Sequence, residues 1–248
     1  MALRLVSAVK RFGNEPTSVT RGLPPLESLL YNRPMASRGA NYRLFWQEFR
    51  RTFQSTGAVL PSGRRLCRAL ARFTAGNGQP RRLLEVGPGT GVVTEQIIAR
   101  MGPSDTLDLV ELNDRFVAAL GERLRSEPEW QRVADRVCIH HMPVEQLAPA
   151  KPYDAIVSGL PLNNFPADLV KSILARLEGI AAPGGTLSFF EYIGVRKAKG
   201  LVVGADERRR LAGVEQALFT VRDKWQFDRD CILANVPPAW VHHLRFGS

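Results

Sequence analysis

Apolar and polar positions along this chain follow two regimes. From Arg81 onward, apolar runs of strand length alternate with longer stretches of helical spacing. Such alternation builds a parallel sheet with helices on both faces, a doubly wound α/β fold. The runs predict strands at Arg82–Val86, Thr106–Glu111, Val137–His141, Tyr153–Ser158 and Thr186–Ile193. Helices are expected over Val92–Met101, from Asp114 to near Arg125 with Asn113 and Asp114 at its cap, and from Pro166, whose missing N–H suits a first turn. Pro183-Gly184-Gly185 turns into the fifth strand. A basic, glycine-rich loop over Gly194–Gly204 precedes a helix at Asp206–Leu218. Thr220–Phe227 and Asp230–Asn235 read as a terminal hairpin continued by Ala239–Arg245, which completes a mostly parallel seven-stranded sheet.

Ahead of Arg81 the pattern changes. Leu5, Val6, Val9 and Phe12 recur at helical spacing among Arg4, Lys10 and Arg11, as in a short basic amphipathic helix. Such a helix suits a lipid headgroup layer, or packs on the domain. Residues 13–40 are rich in Gly and Pro and read as an irregular arm. Asn41 caps a helix reaching Phe53, with Tyr42, Phe45, Trp46, Phe49 and Phe53 on one stripe and Arg43, Arg50 and Arg51 towards the other side. Ser62 caps a second helix, with Leu66, Leu70 and Phe73 inward and Arg64, Arg65, Arg68 and Arg72 outward. The expected organisation is a basic arm at 1–40 and one domain at 41–248, with a helical cover at 41–75.

Charge sharpens this division. Residues 1–72 hold 13 Lys+Arg against 3 Asp+Glu, and 73–248 hold 21 of each, so the whole surplus of +10 sits in the first third. A polarised basic segment calls for an anionic partner, nucleic acid or a membrane surface, unless it is only a solvated face. No apolar run approaches the ~18 residues of a membrane span, and no secretory signal is expected. Cys67, Cys138 and Cys231 lack metal or redox spacing and are expected as reduced thiols in the cytoplasm.

The chemistry centres on residues 83–91, Leu-Leu-Glu-Val-Gly-Pro-Gly-Thr-Gly. Alternate glycines after a strand allow a tight turn and close approach of a ligand to the backbone. The dinucleotide fingerprint wants Gly where this chain has Val92. A carboxylate at Glu85 repels phosphate but suits a cationic amino acid. The spacing Glu-x-Gly-x-Gly-x-Gly resembles motif I of the class I S-adenosylmethionine methyltransferases, which implies their Rossmann-like fold. Glu111, about 20 residues beyond the turn, is placed to accept ribose hydroxyls. After the third strand, Pro143 stands where that class often has an acid, leaving the Val144 N–H or Glu145 for the adenine. Strand four ends Ser158-Gly159-Leu160-Pro161-Leu162, with Asn163, Asn164 and Phe165 behind it. Amino-group methyltransferases carry Asn/Asp-x-Pro-aromatic there, and Leu162 is a poor platform for a flipped base. An aliphatic amine fits better.

Three stretches carry a closer resemblance: Gly57-Ala58-Val59-Leu60-Pro61-Ser62, Ser158-Gly159-Leu160-Pro161 with Phe165-Pro166, and Asn235-Val236-Pro237-Pro238-Ala239. Over about residues 41–245 the chain resembles the bacterial phospholipid N-methyltransferases, which methylate phosphatidylethanolamine towards phosphatidylcholine. The resemblance implies S-adenosylmethionine as cofactor, held by Ser62, Glu85, Gly87, Gly89, Thr90, Gly91, Glu111, Leu112, Val144, Ser158 and Leu160. It implies a phospholipid substrate met by Trp46, Arg50, Pro161 and Phe165, with Tyr42, Ser158 and Tyr192 as polar groups near the amine. A monomer on the cytoplasmic face of the membrane is expected, held to anionic lipid by the basic first third, without nucleic acid or metal. His140-His141 and His242-His243 point to opposite strand faces and cannot chelate as pairs. No acid–His–Ser arrangement is expected. An RNA adenine dimethyltransferase and a non-catalytic protein that binds a membrane or partner through its arm are the rival readings.

Overall fold

The computed structural model describes residues 63–76, 78–193 and 204–247. The amphipathic segment at 1–12, the arm, the aromatic helix at 41–53, Ser62 and nearly all of the glycine-rich loop lie outside the described residues.

Seven strands form one sheet in the order β3-β2-β1-β4-β5-β7-β6. They are β1 (Arg82–Val86), β2 (Thr106–Glu111), β3 (Val137–His141), β4 (Tyr153–Ser158), β5 (Ala181–Tyr192), β6 (Gln226–Ile232) and β7 (Ala239–Arg245). The first five run parallel, and β7 is antiparallel to both β5 and β6. The helices are α1 (Arg64–Leu70), α2 (Val92–Ile98), α3 (Asp114–Ser126), α4 (Pro128–Gln131), α5 (Ala167–Ile180) and α6 (Ala205–Trp225). Strand order reverses between β1 and β4, and in open α/β sheets ligands bind at the carboxyl ends of strands beside such a switch.

Side-chain alternation along the strands supplies two cores. Leu83, Leu107, Leu109, Ile139, Ala155 and Val157 form one cluster with Leu66 and Leu70 of α1, Val93 and Ile97 of α2, Leu120 of α3 and Trp130 of α4. Leu84, Val86, Ile156, Leu187 and Phe189 alternate to the other face and are buried there, where α5 packs on β5 and on α6. The strand runs are apolar on both faces because both are covered.

Two boundaries differ from the sequence expectation. The stretch Thr220–Trp225 is the last part of α6, so the terminal hairpin is β6 with β7. Its β-branched residues favour a strand. Yet Leu211, Val214, Leu218 and Val221 keep helical spacing and are all buried, so packing overrides local preference. β5 begins at Ala181, ahead of the Pro183–Gly185 turn, and its register with β4 shifts between Tyr153 and Ala155.

Across β3, β2, β1 and β4 a charge cluster replaces apolar packing. Asp108 accepts from Arg82 Nη2 at 2.8 Å and from the Tyr153 hydroxyl at 2.6 Å, and meets His140 Nε2 at 2.9 Å. Burial pushes the Asp108 carboxyl up, but the hydrogen bonds from His140 and Tyr153 and the charges of His140 and Arg82 outweigh it and hold it below its ordinary value. The hydrogen bond to Asp108, then that to Cys138, raises His140 to about 9. Stability from this imidazolium is fully present below the unfolded value of about 6.5. It is lost as pH rises through about 9. Urea unfolding at stepped pH is therefore expected to show a decline over that window that His140→Asn reduces; an unchanged decline in the variant would assign it to another group.

Candidate active site

The turn after β1 is built from crowding. Gly87, Gly89 and Gly91 all have left-handed φ, at 71°, 57° and 85°. Gly87 also sits against Leu160, whose Cδ2 would lie 2.6 Å from an added Cβ. From the adjacent strand, Gly159 N–H donates to Val86 O at 2.8 Å, and a Cβ there would come within 2.6 Å of Gly87 O. Beyond Gly91 stands Trp130, 2.7 Å from where a Cβ would project. At Gly89 nothing among the described residues lies within 4 Å of that position, so the middle of the turn faces open space between them.

Two carboxylates frame this space. Glu85 is fully buried; its Oε2 accepts from Thr94 Oγ1 at 2.6 Å, while Oε1 has no hydrogen-bond partner among the described residues. Burial, reinforced by the negative charge of Glu111 and only partly offset by Thr94, raises its pKa to about 8. A lone acceptor oxygen on a buried, reluctant carboxylate is incomplete without a donor, and a cationic ammonium supplies both donor and charge. Glu111 ends β2 with Oε2 accepting from Gly89 N at 3.1 Å and Oε1 from the N–H groups of Leu112 and Asn113, each at 2.8 Å. Burial raises its pKa despite these bonds.

Other expected site residues fall along the same edge. Ser158 ends β4, buried, 3.4 Å from Leu160 N. Val144 opens a 3-10 turn after β3, so its N–H has no partner within that turn. Half-buried Pro161 follows Leu160, and Tyr192 ends β5, its ring edge-on to Phe190 at 5.1 Å. Burial raises the Tyr192 phenol. Phe165 is buried, and its carbonyl accepts from Arg210 at 2.6 Å. Tyr42, Trp46, Arg50 and Ser62 lie outside the described residues.

Three arrangements escaped the sequence reading. Arg123 donates to Thr90 O at 2.8 Å, stacks 4.3 Å over Trp130, and pairs with Glu95 and Glu127, pinning the glycine turn from outside. The only sequence signal was Pro128, fit to start the short helix that carries Trp130. Contrary to expectation, an acid–His–Ser chain exists: Ser188 Oγ lies 2.8 Å from His243 Nδ1, and His243 Nε2 lies 3.1 Å from Asp230. Ser188 and His243 are buried, with Phe73 edge-on to the imidazole at 4.7 Å, so no substrate reaches them. Its members come from three strands, which spacing does not reveal. Asp108, Cys138 and His140 place potential ligand atoms within 4.8 Å of one another, but Arg82, Tyr153 and His140 already engage both Asp108 oxygens.

Comparison with known proteins identifies the family of the chain. A family model described as a methyltransferase domain matches residues 53–218. An ornithine lipid N-methyltransferase of Singulisphaera acidiphila is 26% identical over 153 residues, covering 60% of this chain and 76% of that protein. A ribosomal RNA small subunit methyltransferase A of Dehalococcoides mccartyi is 33% identical over 102 residues, covering 41% of this chain but 32% of its own length. Among solved structures, the glycopeptide N-methyltransferase MtfA in complex with S-adenosylmethionine superposes with a TM-score of 0.57 at 16% identity, over 76% of this chain and 88% of that one.

Two outcomes are expected. Because folded Glu85 keeps its proton up to about pH 8 while the unfolded carboxyl ionises in the ordinary range, stability of the ligand-free chain declines as pH rises through that interval. Glu85→Gln should flatten much of the decline in urea titrations, leaving the part due to Glu111; a variant as pH-dependent as the native chain would contradict the assignment. Gly159→Ala should cost about 1–3 kcal/mol, because the added methyl meets backbone rather than a yielding side chain. A neutral result in chemical denaturation would mean the two strand ends are free to separate.

Proposed function

We propose that this chain, which belongs to the methyltransferase domain family, transfers methyl groups from S-adenosylmethionine to the amine of a membrane-lipid head group, with phosphatidylethanolamine and its methylated intermediates as substrates. The observation that carries the lipid reading is the match along 76% of an ornithine lipid N-methyltransferase. The ribosomal RNA methyltransferase match spans only about a third of that protein (32%). The end of β4 favours an aliphatic amine as well: Leu162 is buried, so no flat side chain at that position meets a base.

The cofactor, when bound, supplies an electrophilic methyl on a sulfonium. In this reading Glu85, the turn from Gly87 through Thr90 to Gly91, Glu111 with Leu112, the Val144 N–H, Ser158 and Leu160 hold it. Glu85 is the residue through which its ammonium is recognised. A lipid ammonium has a pKa near 10 by analogy with lysine and must lose a proton before it attacks carbon. Enclosure at the strand ends lowers that pKa by disfavouring the charge. Ser158 and Tyr192 offer polar groups there, Tyr192 also an aromatic face for the cation that methylation produces. Most of the acceleration then comes from positioning amine and methyl in line. The basic first third holds the chain to an anionic leaflet from its cytoplasmic side. Among the described residues no helix is long and apolar enough to cross a membrane.

Radiolabelled S-adenosylmethionine offered with phosphatidylethanolamine vesicles, ornithine-lipid vesicles or ribosomal RNA tests the proposal. Label in phosphatidylethanolamine is expected. Label confined to ornithine lipid would replace the head group, and label on RNA would overturn the lipid reading.

A further inference from the structure

The β6–β7 hairpin is tied to the start of α1 by one buried side chain. Asn235 Oδ1 accepts from Gly63 N at 2.9 Å, and Asn235 Nδ2 donates to Pro237 O at 2.7 Å. Around this clasp, residues 231–239 carry no charged side chain, and Leu233 and Val236 are 72% and 73% exposed. Aliphatic side chains that open to water together, rather than singly, mark interaction surfaces. Immediately after Gly63, exposed Arg64, Arg65 and Arg68 have no carboxylate partner among the described residues, whereas Arg72 one turn on pairs with Asp228 and Asp230. Tyr192 pairs with Ala239, and Ile193 N–H donates to Pro238 O at 2.7 Å. The hairpin turn therefore lies at the carboxyl ends of the parallel strands, the edge that holds Gly87, Glu111 and Ser158.

We propose that the hairpin tip and the first turns of α1 form one membrane-docking surface. Leu233 and Val236 enter the boundary between head groups and acyl chains of an anionic bilayer, while Arg64, Arg65 and Arg68 meet its phosphates. Apolar prongs beside unpaired cations match the layering of a lipid interface, apolar below and anionic at head-group depth. A protein groove that accepted the same prongs would still have to neutralise the three arginines. The surface deepens the lipid-substrate reading and rests on it for its purpose: it brings the site's edge to the layer where a lipid amine lies.

Flotation of the full chain with vesicles of phosphatidylglycerol and phosphatidylcholine tests it. Leu233→Ser with Val236→Ser is expected to weaken partitioning about tenfold or more. Replacing Arg64, Arg65 and Arg68 by Gln should reduce the preference over pure phosphatidylcholine about a hundredfold, each arginine accounting for about fivefold. Unchanged thermal melting shows that the variants fold. Native-like flotation of the serine variant overturns the proposal. So does a gel shift in which these arginines serve RNA and not vesicles, or a native dimer that the serine variant makes monomeric. Methylation of detergent-dispersed lipid separates the two readings. Turnover there with native-like flotation of the serine variant sinks the docking surface alone. Hairpin-dependent flotation without lipid methylation sinks the substrate reading alone.

Discussion

The structure depends on how closely two backbones meet at the end of the central strand. β1 and β4 lie side by side where strand order reverses, and there Gly159 N–H reaches Val86 O while Gly87 O fills the place a Cβ on Gly159 would take. Neither position has room for a Cβ, and Gly87 adds a left-handed φ that other residues resist. This contact brings Leu160 over the glycine turn and Ser158 beside it. Trp130 and Arg123 close the outer flank. What remains is a turn braced on both sides and open at Gly89, a rigid support of the kind that positions reacting groups.

Electrostatics at this edge run against stability. Glu85 and Glu111 end neighbouring strands, both buried, both with raised pKa values, and each unfavourable to the other's charge. Glu111 recovers part of its cost through three backbone donors, whereas Glu85 keeps one oxygen unmet. Natural chains retain such tension where a ligand relieves it. The opposite arrangement holds elsewhere on the same strands. There Asp108 gathers Arg82, Tyr153 and His140 into a set whose charges and hydrogen bonds are satisfied internally. One cluster reads as function and the other as architecture because of their partners, not their composition.

The antiparallel end of the sheet does two further jobs. Its interior is locked by the buried chain from Ser188 through His243 to Asp230, which resembles a hydrolytic triad in connectivity but is sealed under Phe73. Its tip carries the clasp at Asn235, so that an apolar loop and a basic helix share one platform beside the site. Under the proposed docking, association with a lipid surface would turn the strand ends towards the bilayer.

Much of this was legible in one dimension. Strands β1 to β4 and their helices follow from apolar runs of strand length, because a sheet covered on both faces leaves no choice but apolar side chains. The glycine turn was legible because its conformation excludes other residues, and Glu111 because its distance from that turn follows the length of one βα unit. The end of α6 was not, since β-branched residues tolerate either state and only the packed face decided. Nor were the lone oxygen of Glu85, the brace of Arg123 on Thr90 or the enclosure of Phe165. Each depends on side chains from distant segments meeting in space. Local preference sets which element a segment can form, while burial and pairing across the fold determine what each polar group faces.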